Sequence, residues 1–358
     1  MEDFQRILRT HAKRYRQMTS QDAVKLAYQS VFGGGHMIPD RQAAYNRLVS
    51  EYEALPQETK QADTPLIEEI GGGLVRLHLA ALDPAVLPLE AVNALFCRSA
   101  DMVHGSRDDF CKTLEALRKG CKDGYLPFSA AELEDYLRTY EADGMPMVSH
   151  SETYRQAYHP AYRIVRQAFV PYLAPIGAIY RCLAKKGSVV VAIDGMAGAG
   201  KSTLASLLAD LTGGSVISMD DFFLPPEKRT AARLAEAGGN VDYERFAAEV
   251  LPGLRTGEAF SYGVFDCSQM AVTTTQAVPM CPVRIVEGSY AMHPQFGRYA
   301  DVTIFLHVSP AEQMQRITER NGVKMAEKFR NIWIPMENRY FREKHVAERC
   351  RYVIQNES

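Results

Sequence analysis

Residues 188–203 read SVVVAIDGMAGAGKST, and the fold of the second half of the chain is decided there. Val189, Val190, Val191, Ala192 and Ile193 form the unbroken apolar run of a strand covered on both faces. Gly195, Gly198, Gly200, Lys201 and Ser202 then satisfy G-x-x-x-x-G-K-[ST], and Leu204, Leu207 and Leu208 follow at helical spacing. Strand, glycine loop and helix in that order are the context of a phosphate-binding loop. Glycines let backbone N–H groups converge on phosphate oxygens, and the helix N-terminus adds partial positive charge. Gly195, Gly198, Ala199, Gly200, Lys201, Ser202 and Thr203 are the candidate nucleotide-binding set. Within it Lys201 supplies a point charge to the β- and γ-phosphates, and the Ser202 hydroxyl is placed to ligate Mg²⁺.

The chain has 358 residues, long enough for two domains. Its 46% hydrophobic and 23% charged residues place it with ordinary globular proteins and exclude disordered and fibrous classes. A net charge of −2 argues for neither nucleic acid nor an anionic membrane as partner. Seven scattered cysteines without a C-x-x-C spacing point to reduced thiols rather than a disulfide framework or a zinc site. The first residues, MEDFQRILRTHAKRYRQ, carry charge throughout and contain no signal-type apolar core. The most apolar stretch elsewhere, 168–183, is interrupted by Pro171, Pro175 and Arg181 and is too short for a bilayer. A soluble, cytoplasmic protein is the expectation, and a homo-oligomer is left open.

Residues 1–185 predict a mostly α-helical domain. Helical patterns run over 2–17, from a Thr19 or Ser20 cap to Gly33-Gly34-Gly35, and over 43–55, 88–100, 107–119 and 130–140. Ser129 and Glu132 have capping-box spacing, and 74–79 alternates as a short strand. Tyr154, Tyr158, Tyr162 and Val165 fall at helical spacing, as core or domain interface. His36, His78, His150 and His159 could meet at a metal or phosphate site. Equally, Ser151 is a cap and the histidines are surface or packing residues, since none stands at a recognised ligand spacing. Pro171 and Pro175 break the helical pattern, and a boundary is expected near residue 185, with residues 186–358 as the second domain.

That domain predicts a parallel α/β sheet flanked by helices. Residues 215–219 read as its second strand and deliver Asp220 and Asp221 to the edge where open α/β sheets bind ligands. Transfer to a hydroxyl needs a carboxylate beside the attacking oxygen. On an extended chain only one of the two aspartates faces the phosphates, and both could simply cap the next turn. Residues 282–288 are a further strand ending in Glu287, the position of an acid that holds Mg²⁺. Strands follow at 301–308 and 351–354. The intervening helix 310–320 puts Arg316 and Arg320 on one face, where they neutralise transferring charge or pair with Glu312 and Glu319 as a solvated surface.

The run S-V-I-S-M-D-D-F-F-L-P after such a loop resembles the uridine kinase, nicotinamide riboside kinase and phosphoribulokinase group of P-loop kinases. N-V-D-Y-E-R-F at 240–246, Phe265-Asp266, E-G-S-Y at 287–290, R-I-T-E-R-N at 316–321 and W-I-P-M-E-N-R-Y-F at 333–341 are similar to further segments of that group. The resemblance covers residue 187 onward. It implies ATP and Mg²⁺ as cofactors and a hydroxyl of a nucleoside or similar sugar-like metabolite as acceptor. It implies Asp220 as general base, with Lys201, Arg316 and Arg320 completing the catalytic set and the two arginines in a lid. Asp242, Phe265, Asp266 and Tyr290 would then form the acceptor site, with Ser202 and Glu287 on the metal. The sequence departs from the group at Ile317 and Asn321 in the lid. It also lacks the histidine that uridine kinases place after the aromatic–Asp pair, Gln269 being nearest. Two other readings stand beside the kinase. In one the P-loop domain is a nucleotide-responsive switch for the N-terminal module. In the other residues 1–185 carry a second activity.

Overall fold

The computed structural model describes residues 2–56 and 64–357. The chain forms two compact units, one ending at Val170 and the other starting at Pro171. The division thus falls ahead of the boundary expected near 185. Pro175 does not break the helix Leu173–Lys186 but sits in its first turn, where a missing N–H removes no bond. Ile176 and Ile179 of that helix are fully buried.

The first unit is mostly helical around a small antiparallel sheet of order β1-β2-β3: β1 (Ile67–Gly71), β2 (Leu74–His78) and β3 (Tyr162–Arg166). Helices Glu2–Arg14, Ser20–Phe32, Arg107–Lys122 and Ala130–Ala142 cover it with Leu8, Val24, Leu26, Leu117, Leu133 and Leu137. The capping box at Ser129 is present. The single helix expected through Tyr154, Tyr158, Tyr162 and Val165 is corrected. It stops at Tyr158, because His159 turns left-handed (φ 44°) and Pro160 cannot continue the ladder. Tyr162 and Val165 lie on β3, paired with His78 and Val75. A spacing of four also fits a strand's period of two, which is why periodicity misread this stretch. β1 was not anticipated.

Ser151 caps the helix Glu152–Tyr158, and His150 beside it is buried. Burial would raise the Asp22 carboxyl, but donors from His150, Ser151 and Thr19 bring it down to about 2. Burial also lowers the imidazoles of His11 and His150 to about 4. Unfolded, both would titrate near ~6.5, so between ~6.5 and ~4 the unfolded chain binds protons the folded unit refuses. Stability therefore falls on acidification through this window, by on the order of 2 kcal/mol per histidine at about pH 5. The expected result is a lower urea midpoint at about pH 5 than at about pH 7, with the difference reduced in His150→Gln. A midpoint unchanged across that range would refute it.

The second unit is a parallel sheet of order β10-β9-β4-β8-β5. Its strands are β4 (Val189–Gly195), β5 (Ser215–Ser218), β8 (Val283–Glu287), β9 (Val302–His307) and β10 (Tyr352–Gln355). An antiparallel hairpin of β6 (Phe260–Asp266) and β7 (Ala271–Val278) lies outside it. β7 went unread because AVTTTQA is polar and exposed on both faces. The chain runs from β4 out to β5, returns through β8, and crosses β4 to β9, so β4 is the topological switch point. Register sets the site: Ile193 pairs with Glu287, and Ser218 pairs with the same Glu287. The carboxyl ends of β8 and β5 therefore finish level, and β4 runs two residues further, to Gly195. Leu204, Leu207, Leu208 and Leu211 of the helix Lys201–Thr212 are buried. At roughly 1.5–3 kcal/mol for each such side chain, their burial anchors the loop's helix to the unit.

Candidate active site

The loop between β4 and the helix Lys201–Thr212 is tied down on every side. Gly195 has φ +141°, and a Cβ there would collide with the Leu306 carbonyl of β9. Only glycine fits. The loop carbonyls are taken one by one: Gln313 Nε2 donates to Ala197 O at 2.9 Å, Asn356 Nδ2 to Ala199 O at 2.7 Å, and Arg316 Nη1 to Gly198 O at 3.3 Å. Lys201 Nζ donates to the carbonyls of Gly195 (2.9 Å) and Met196 (3.0 Å), which holds the ammonium over the loop. Beneath it, the buried Asp194 carboxylate accepts the N–H groups of Gly195 (2.7 Å), Tyr290 (3.2 Å) and Met292 (2.9 Å) and the Tyr340 hydroxyl (3.0 Å). Burial raises Asp194 to about 6 despite these donors.

The acids stand around the lysine. The Ser202 hydroxyl donates to Glu287, at 3.2 and 3.3 Å from its two oxygens, and the Ser218 hydroxyl donates to the same carboxylate at 3.3 Å. Burial raises Glu287, the Lys201 ammonium opposes, and the charge of Asp220 adds to the rise. Gly288 follows with φ +132°, its missing Cβ leaving room 2.7 Å from Met219 Cβ. This close approach brings the end of β8 against the turn after β5.

That turn corrects one expectation. β5 ends at Ser218, and residues Met219–Phe222 form a 3-10 turn, so the two aspartates are not on extended chain. Asp221 is half-buried and accepts the Tyr262 hydroxyl at 2.9 Å, while Asp220 is exposed at the sheet edge. Burial raises Asp221, and the charge of Asp220 adds to it.

The remaining expected residues divide. Arg316 donates to the Gly198 carbonyl of the loop, while its Nε also pairs with Glu312 at 2.9 Å. Arg320 is exposed and donates to Asn321 Oδ1 at 2.8 Å. Asp242 is buried, caps the helix Tyr243–Glu249 and pairs with Lys228 Nζ at 2.8 Å. Phe265 is buried near the end of β6, whereas the half-buried Asp266 accepts from Ser268 and Gln269 at the hairpin tip. Tyr290 is buried with φ +79°, a conformation non-glycine residues rarely adopt, and its ring meets Tyr340 at 4.7 Å.

Sequence reasoning missed Glu337. Its carboxylate accepts the Ala197 N–H of the loop at 3.0 Å and the Ser289 hydroxyl at 2.7 Å, and burial raises its pKa. It lies in the segment 333–341 whose likeness was noted, but nothing local marks it. Asp194, Gln313 and Asn356 were missed for the same reason.

The family model for shikimate kinase matches residues 197–358. The C-terminal half is similar to P-loop kinases. Among solved structures, the chain is matched by a possible uridine kinase from Bacillus stearothermophilus. That match has 18% identity, a TM-score of 0.35, and covers 49% of this chain and 96% of that one. The protein TT1252 from Thermus thermophilus matches at 19% identity and a TM-score of 0.26, over 48% of this chain and 90% of that one. Among the described residues, no helix is long and apolar enough to cross a membrane.

Proposed function

We propose that residues 186–358 transfer the γ-phosphoryl group of ATP to a hydroxyl of a nucleoside or similar sugar-like small metabolite. The observation that carries this reading is the convergence of Lys201, the Ser202–Glu287 pair and Asp220 at the carboxyl ends of the neighbouring strands β4, β8 and β5. The shikimate kinase match and the uridine kinase-like motifs belong to one reaction class, phosphoryl transfer to an alcohol. That agreement supports the class and leaves the acceptor to experiment.

The residues fit the groups such a reaction needs. Loop N–H groups and Lys201 suit phosphate oxygens. Ser202 and Glu287 offer the hard oxygen donors that Mg²⁺ takes, from a carboxylate whose hydrogen bonds come from hydroxyls that can turn away. Mg²⁺, when bound, neutralises charge on the β- and γ-phosphates. Asp220, exposed toward incoming acceptor, takes the hydroxyl proton and orients the oxygen in line. Arg316, held by Glu312 over Gly198, supplies positive charge to the transferring group. Arg320 would have to swing inward to join it. In the acceptor region, Tyr290 and Phe265 offer apolar surface, Asp266 lies half-buried at the hairpin tip, and Asp242 would contact hydroxyls only by releasing Lys228.

The test uses the full chain with ATP, Mg²⁺ and a panel of nucleosides and sugar alcohols, following ADP. The expected result is ADP release that depends on at least one acceptor. Nucleotide binding without acceptor-dependent ADP would overturn the kinase and favour the switch.

A further inference from the structure

The segment 333–341 stands out in the sequence, and the proposed transfer makes no use of it. Nearly all of it lies in the helix Ile334–Glu343, whose buried residues are Glu337 and Tyr340. These two stand one turn apart on one face. The Tyr340 hydroxyl donates to Asp194 at 3.0 Å, and Asp194 accepts the Gly195 N–H at 2.7 Å. Glu337 accepts the Ala197 N–H directly at 3.0 Å. Between them the Met196 N–H donates to the Leu306 carbonyl of β9 at 3.0 Å. The first three loop N–H groups are thus held by protein acceptors, two of them through this one helix face.

The bond to Ala197 reaches further than the loop's frame. A peptide unit is planar, so the direction of its N–H fixes the direction of its carbonyl. The Met196–Ala197 peptide is gripped at both ends: its N–H donates to Glu337, and its carbonyl accepts Lys201 Nζ at 3.0 Å. The other Glu337 oxygen accepts the Ser289 hydroxyl at 2.7 Å, and that hydroxyl also stands 3.3 Å from the Gly195 carbonyl. Gly195 O is the second acceptor of Lys201, at 2.9 Å. A hydroxyl has one proton, and the shorter contact to a carboxylate takes it. The Gly195 carbonyl is left to the ammonium. One carboxylate therefore arranges both carbonyls that seat Lys201, and it does so through the backbone. Glu337 is 8% exposed, and burying a carboxylate is costly where an apolar side chain would fill the same space. An apolar side chain would leave the Ala197 N–H without its acceptor.

We propose that Glu337 is the positioning residue for Lys201. It fixes the loop carbonyls on which the ammonium rests, and so the direction in which that charge meets the β- and γ-phosphates. The inference rests on the P-loop as a nucleotide site, and on the kinase reading only for its effect on turnover.

The test is calorimetric titration of the full chain with the β,γ-imido analogue of ATP and Mg²⁺, which reads binding without transfer. Glu337→Ala should weaken the analogue about tenfold. Glu337→Gln keeps an oxygen for the Ala197 N–H and should stay within about threefold of wild type. Glu337→Asp keeps the charge but is one methylene shorter, so it should lose binding as the alanine variant does. The contrast between Gln and Asp holds the test open if the alanine variant fails to fold. A purely structural residue would lower the bound stoichiometry, because part of the protein is unfolded, and leave Kd where it was. Kd unchanged in all the variants, Gln as weak as Asp, rescue by Asp alone, or a loss confined to stoichiometry would each overturn the proposal. Wild type that binds the analogue but gives no acceptor-dependent ADP would remove the kinase and leave this test standing. No binding by wild type would end both.

Discussion

Replacing Asp220 by Asn lowers turnover by at least about a hundredfold while ATP affinity stays near wild type. The side chain keeps its shape and loses only its capacity to accept a proton. It is exposed at the sheet edge and makes no loop contact that the nucleotide needs, so the loss should appear in kcat with little change in the KM for ATP. Steady-state kinetics with the best acceptor and a separate nucleotide titration check both halves. Asp221→Asn is the informative companion. Its carboxylate accepts from Tyr262, so its substitution should disturb acceptor KM more than kcat. If Asp221→Asn abolishes turnover and Asp220→Asn does not, the base has been assigned to the wrong aspartate.

Asp194→Ala is expected to destabilise the second unit by roughly 3–5 kcal/mol, because the buried N–H groups of Gly195, Tyr290 and Met292 and the Tyr340 hydroxyl lose one common acceptor. Asp194→Asn should fall between the two, since an amide oxygen still serves Gly195 and Tyr290 while its NH₂ faces the Met292 N–H. The chain's single tryptophan, Trp333, belongs to this unit and reports its unfolding by fluorescence. A lower urea midpoint in the tryptophan signal is the expected observation. An unchanged midpoint would show that water or neighbouring groups replace the carboxylate without cost.

Much of the kinase-like half was legible in the sequence because its signals are short-range. The apolar run 189–193, the glycine spacing and the leucines after Lys201 each depend on residues only a few positions apart. Such patterns survive without knowledge of the rest of the chain. Glu287 could be named because a strand's last residue is countable from its apolar run. Asp220 could be named too, though not the 3-10 turn that sets it apart from Asp221. Arg316 was legible as a face of a helix and Glu312 as its partner, but its bond to the Gly198 carbonyl of the loop was not. Arg320 shares that helix and still points elsewhere, because i, i+4 spacing places side chains on a face and says nothing of their reach.

The N-terminal unit shows the opposite case. Its helices and caps follow from local pattern, yet Tyr154, Tyr158 and Tyr162 were read as one helix, and the four histidines offered as a metal site form no such group among the described residues. What the sequence by itself determined is the strand, glycine loop and helix around Lys201 and the acid that ends β8, all set by backbone preferences of neighbouring residues. What only the tertiary structure decided is which distant groups meet. Glu337 reaches a loop N–H 140 residues away, and Asp22 holds a histidine 128 residues away. Such pairs leave no periodic trace, because their geometry comes from strand order and helix packing rather than from spacing along the chain.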